Sequence, residues 1–192
     1  MTCIKLSGII RSGGSFANQS IERTVQKLAL LLRRTCQTLE SMNISTLTHQ
    51  QLFRPGSKSN GCTVAERHSA DFLIDGESLL HTLVKIDGGH DDFMGCFVKG
   101  FAESTAKAVA MLVSEASPNS ESGRVLLYIC PECGDIGCGA YTVRIEKTDG
   151  GYSWGNFAYE NGYEEPRVIE GVGPFFFERS AYESAISRAA TL

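Results

Sequence analysis

The sequence has no window of about 18 consecutive apolar residues, and its first residues, Met1 to Arg11, are too short and too polar for a signal-peptide core. Both absences argue against a membrane span and against secretion, so a cytoplasmic protein is expected. Histidine is scarce, with four in the chain, and neither G-x-x-x-x-G-K-S/T nor G-x-G-x-x-G occurs. That removes the nucleotide-binding loops and leaves few imidazoles for a metal or catalytic centre. Positive charge is not in excess either: the net charge of -4 argues against general nucleic-acid binding, and Lys27, Arg33 and Arg34 form a local basic edge that reads as a solvated face.

What is present describes an ordinary globular chain. With 192 residues, 42% of them apolar and 21% charged, it buries a core without help from disulfides or metal. Seven cysteines is an odd number, and in a chain without secretory features they are expected as reduced thiols. Three of them are concentrated in one stretch. Cys130, Cys133 and Cys138 have the spacing C-x2-C-x4-C within Val125 to Arg144, V-L-L-Y-I-C-P-E-C-G-D-I-G-C-G-A-Y-T-V-R. Runs rich in β-branched and aromatic residues, Arg124 to Ile129 and Ala140 to Ile145, flank a glycine- and proline-containing segment, the pattern of an antiparallel hairpin.

Along the chain, Thr2 to Ile10 reads as a short strand. Ile21, Val25, Leu28, Leu32, Cys36 and Leu39 then recur at helical spacing, predicting a helix from Ser20 to Glu40 with Ser20 as its N-cap. Its apolar stripe needs cover, from the rest of the chain, from a protein partner or from a second copy in a homodimer. Arg54 to Thr63 combines proline, glycine and small polar residues without period, which reads as a linker or long loop. A boundary near residue 60 divides an N-terminal strand and helix segment, 1–60, from an α+β domain, 61–192.

Within that domain Ala70 to Ile74 runs to the turn signal Asp75-Gly76, and Leu79 to Ile86 fits either a helix or a strand. Phe101 to Ala116 has helical spacing, and small residues on its face predict close packing on a sheet. A third strand follows the turn Asp149-Gly150-Gly151 at Tyr152 to Tyr159. Ser180-x-x-Glu183 reads as a capping box opening a last helix with Tyr182, Ala185, Ile186 and Ala189 inward. The expected fold is therefore α+β: an antiparallel β-meander with helices packed on one face, plus the N-terminal helical segment.

The combination C-P-E-C-G-D-I-G-C-G at Cys130 to Gly139, W-G-N-F-A-Y-E-N at Trp154 to Asn161 and G-P-F-F-F-E-R-S-A-Y-E at Gly173 to Glu183 resembles a family of bacterial proteins without an established activity. The resemblance spans roughly residues 70 to 190. Some members carry an oxidoreductase label, and the resemblance implies no catalytic residue, substrate or cofactor.

The residues allow three readings of the turn. In the first, Cys130-Pro131-x-Cys133-Gly134 is one knuckle of a zinc site joined by Cys138, with a fourth ligand from Cys96, His90, Cys62 or His68. In the second, the cysteines exchange with disulfides. In the third, they are small apolar fillers of a tight turn. A separate candidate is His90-Asp91-Asp92, where imidazole and carboxylates adjoin and suit metal binding or proton transfer. The expected function is a non-enzymatic binding or interaction domain whose hairpin holds structural zinc; the alternative is a thiol- or metal-dependent oxidoreductase. Convergence of the two clusters on one cleft would favour the enzyme.

Overall fold

The computed structural model describes residues 43–59 and 61–192. The expected strand at Thr2 to Ile10 and helix at Ser20 to Glu40 lie outside the described residues.

The fold is α+β with antiparallel sheets. Its first sheet pairs β1, Leu47–Arg54, with β4, Arg67–Ile74, in unbroken register from Leu47 opposite Ile74 to Arg54 opposite Arg67. Arg54 to Thr63, expected as a linker, joins these two strands and folds into a small hairpin of β2, Ser57–Ser59, and β3, Cys62–Val64. Residues on either side of position 60 thus share one sheet.

Asp75 and Gly76 turn the chain with positive φ, 52° and 89°, into β5, Glu77–Ser78. Helix α1, Leu79–Asp87, follows, so helical spacing rather than alternation decides this stretch. The Ser78 side chain caps it by accepting from His81 N–H, and left-handed Gly88 closes it.

The main sheet carries the expected meander. Strands β7, Val125–Ile129, β8, Ala140–Lys147, and β9, Gly151–Glu160, pair in sequence; β6, Met94–Gly95, extends one side and β10, Arg167–Val168, the other. Strand β11, Phe175–Glu178, also pairs with β9. Helix α2, Ala102–Leu112, precedes the meander and α3, Arg179–Ala189, follows β11. The helix start is corrected by two residues: Glu178, not Ser180, is the N-cap, its carboxylate accepting from Ala181 N–H at 2.8 Å while Ser180 Oγ donates to the same carboxylate. A carboxylate reaches the orphan donors of the first turn as well as a hydroxyl does and adds charge against the helix dipole.

Buried aromatics tie the layers together. Trp154 of β9 lies edge-on to Phe72 of β4, with ring centres 5.3 Å apart, and its indole N–H donates to the Tyr182 hydroxyl of α3 at 2.9 Å. That hydroxyl in turn donates to the Leu112 carbonyl at the end of α2. The buried indole N–H and phenol so find partners, which is what makes tryptophan and tyrosine tolerable there.

One buried carboxylate organises the contact between sheets. Asp71, 2% exposed, accepts from the Tyr128 hydroxyl at 2.7 Å, Ser78 Oγ at 2.7 Å and Gln50 Nε2 at 2.9 Å. Tyr128 spans from β7 to β4, and its hydroxyl also accepts from Phe72 N–H. Burial and the adjacent carboxylate hold its phenol well above the usual range, so it stays a donor.

Candidate metal centre and the adjoining cleft

The cysteine turn closes the β7–β8 hairpin. Cys130 leaves β7; Gly134 N–H donates back to the Cys130 carbonyl at 3.0 Å; and Gly134 adopts φ 65°, the left-handed conformation its missing Cβ makes easy. Asp135 then accepts from Gly137 N–H and starts a single 3-10 turn, Ile136–Cys138. Gly139, at φ 99°, returns the chain to β8, with the Tyr159 side chain packed where a Cβ would stand.

These turns bring the sulfurs of Cys130, Cys133 and Cys138 within 4.8 Å of one another, and Cys133 and Cys138 within 3.3 Å. A tetrahedral ion with bonds of about 2.3 Å sets its ligand sulfurs roughly 3.8 Å apart, between those two values. The backbone is arranged for negative charge. Burial raises the Cys130 thiol, but N–H groups of Cys133 and Glu132 and the neighbouring thiols outweigh it and hold the group below its ordinary value. Asp135 N–H points to Cys133 Sγ at 3.4 Å. Cys138 takes the complementary role: hydrogen bonds with Cys133 and Cys130, and their charge, push it up to about 11. One thiolate is thus favoured and the next resisted, as in any close set of thiols that share charge.

No fourth donor joins them among the described residues, where this trio is the only such close group of His, Cys, Asp and Glu. His68 is engaged elsewhere, with Gln51 at 2.5 Å and the Phe53 ring at 4.8 Å. His90 stacks flat on Phe93, 4.7 Å away. Cys96, half-buried just after β6, borders the adjoining cleft, and burial pushes its thiol up to about 12. The side chain of Cys62 lies outside the described set.

The His90-Asp91-Asp92 candidate is not assembled into a site. Both oxygens of Asp92 are taken by Arg54, and His90 faces Phe93. Asp92 and the turn are nevertheless neighbours, since Arg54 also donates to Glu132.

Beside the turn lies a cleft of about 670 Å³ between α2 and the strands β6 and β7. Its walls are mainly apolar, from Met94, Phe101, Ala108, Met111, Leu126 and Ile129, and Cys133 and Arg67 border it. His90, Asp91 and Asp92 take no part in it. Sequence reasoning missed this cleft. Ala108 and Leu112 of α2 are buried in the core, as its small-residue face leads one to expect, while Ser104, Ala110 and Met111 line the cleft.

Comparison with protein-family models, curated proteins and solved structures yields no match. No described helix is long and apolar enough to cross a membrane.

Proposed function

We propose that the protein is a non-enzymatic binding domain of a reducing, cytoplasmic compartment, in which Cys130, Cys133 and Cys138 hold zinc as a structural brace. The observation that carries this is the spacing of the three sulfurs, within 4.8 Å, together with backbone N–H groups directed at two of them. Thiolates are soft ligands that suit zinc, whereas calcium and magnesium take oxygen. Three thiolates make zinc-bound water a poor acid, which favours bracing over hydrolysis. The fourth position belongs to water or to a donor outside the described side chains. Elemental analysis of protein purified without a metal-binding tag is expected to give one zinc per chain, lost in Cys133→Ser with a fall in melting temperature. Metal-free protein with three freely titrating thiols, its stability indifferent to chelator, would refute it.

The 3.3 Å approach of Cys133 to Cys138 favours a second reading, a thiol oxidoreductase that closes a disulfide between them. Reduction of one equivalent of a small disulfide by zinc-free protein, with two small thiols released as Cys133 and Cys138 close their own disulfide and the reaction abolished in Cys138→Ser, would establish that reading in place of the first.

A further inference from the structure

The cleft beside the turn carries an inference that does not depend on whether the sulfurs hold an ion. Its volume, about 670 Å³, falls in the range of small-molecule sites, and its walls are apolar side chains with few polar groups. Helix α2 forms one long wall from Phe101 to Met111, and its eleven residues extend roughly 16 Å. Such a slot suits an elongated apolar body more than a compact polar one.

The two ends of the slot differ. Near Leu126, Asn119 accepts from the Leu126 N–H through its side-chain oxygen and carries no charge. At the other end stands Arg67. Its Nε donates to the Pro131 carbonyl at 3.0 Å, its Nη1 to the Glu66 carbonyl at 3.1 Å, and its guanidinium lies 5.7 Å from the centre of the Phe101 ring. Two carbonyls and a ring thus fix the group, while Nη2 has no partner among the described residues.

The charges around it are otherwise spoken for. Of the other charged residues bordering the cleft, Lys107 pairs with Glu103 at 2.8 Å and Glu132 with Arg54 at 2.5 Å. Arg67 is therefore the lining charge that makes no ion pair among the described residues; the Glu132 carboxylate feels its charge but gives its hydrogen bond to Arg54. A guanidinium held in place with a spare N–H is suited to a carboxylate.

We propose that this cleft binds a medium-chain aliphatic carboxylate, with its head at Arg67 and its chain along Met94, Met111 and Leu126. The experiment titrates the full chain, labelled with carbon-13 at its methionine methyls, with decanoate, 1-decanol and decylamine below their aggregation concentrations. Decanoate is expected to shift the Met94 and Met111 methyls saturably and to bind at least tenfold more tightly than decylamine or 1-decanol. Arg67→Gln should weaken decanoate about tenfold and leave 1-decanol unchanged. Absence of saturable shifts at Met94 and Met111 with decanoate overturns the proposal. Equal binding of 1-decanol or decylamine by the unmodified protein also overturns it, and that comparison needs no variant to fold.

Discussion

Arg54 grips Asp92 through two parallel hydrogen bonds, Nε to Oδ1 at 2.7 Å and Nη2 to Oδ2 at 2.8 Å. The guanidinium keeps one arm, Nη1, for Glu132, two residues into the cysteine turn. A single side chain of β1 thereby withdraws Asp92 from metal or acid-base chemistry and fastens the turn to the first sheet. The planar fork of arginine allows this; a lysine would supply charge without the paired geometry.

Replacing Arg54 by Gln should release Glu132. Its carboxyl lies below the ordinary 4.5, chiefly through the Arg54 hydrogen bond. Such a depressed group stabilises the fold above that value and loses the contribution as pH falls through its folded pKa. In the variant the Glu132 titration, followed by NMR, is expected to move up toward 4.5, and Cys133 should alkylate several-fold faster. An unmoved titration would show that Arg54 does not hold the turn.

Glu160 offers a buried counterpart. Burial raises its carboxyl, yet hydrogen bonds from Ser120, Thr142 and Ser122 and the charge of Arg124 outweigh that and leave it lowered. Its stabilisation is present above pH 4.5 and fades as pH drops through the folded value. Glu160→Gln is expected to cost about 3 kcal/mol at neutral pH, because Arg124, 5% exposed, keeps its charge without the partner. Denaturation curves should show the gap between variant and parent closing on acidification. A gap independent of pH would contradict the assignment.

Gly139 is the point where turn geometry and sheet packing meet. At φ 99° and ψ 141° it occupies backbone space that side chains rarely adopt, and the Tyr159 ring fills the Cβ position. Gly139→Ala should destabilise the protein by about 2 kcal/mol and weaken zinc retention, since Cys138 precedes it. Retention of zinc during dialysis against a chelator, compared with the parent, checks the second effect.

The meander and its helices were legible because their signals are local. The β-branched and aromatic run at Val125–Ile129, the alternation that opens Gly151–Glu160, and the helical stripes at Ala102–Leu112 and Arg179–Ala189 are each contained in a few neighbouring residues. The cysteine trio was legible too, being contained in one turn. What the sequence hid is long-range. Arg54 lies 38 residues from Asp92 and 78 from Glu132, and Tyr128 lies 57 from Asp71. No spacing rule connects such pairs. The cleft was hidden for a related reason: small residues on α2 read the same whether a neighbour fills the space or leaves it. The strand β1 was missed because its pattern, Leu-Thr-His-Gln-Gln-Leu-Phe-Arg, alternates poorly and takes its partner from beyond a loop that reads as a linker.

The most direct measurement of the central claim is X-ray absorption at the zinc edge on protein purified without a metal-binding tag. Three sulfur neighbours at about 2.3 Å, reduced by one in Cys133→Ser, are the predicted result. A zinc-free protein, or zinc surrounded only by nitrogen and oxygen, would contradict it.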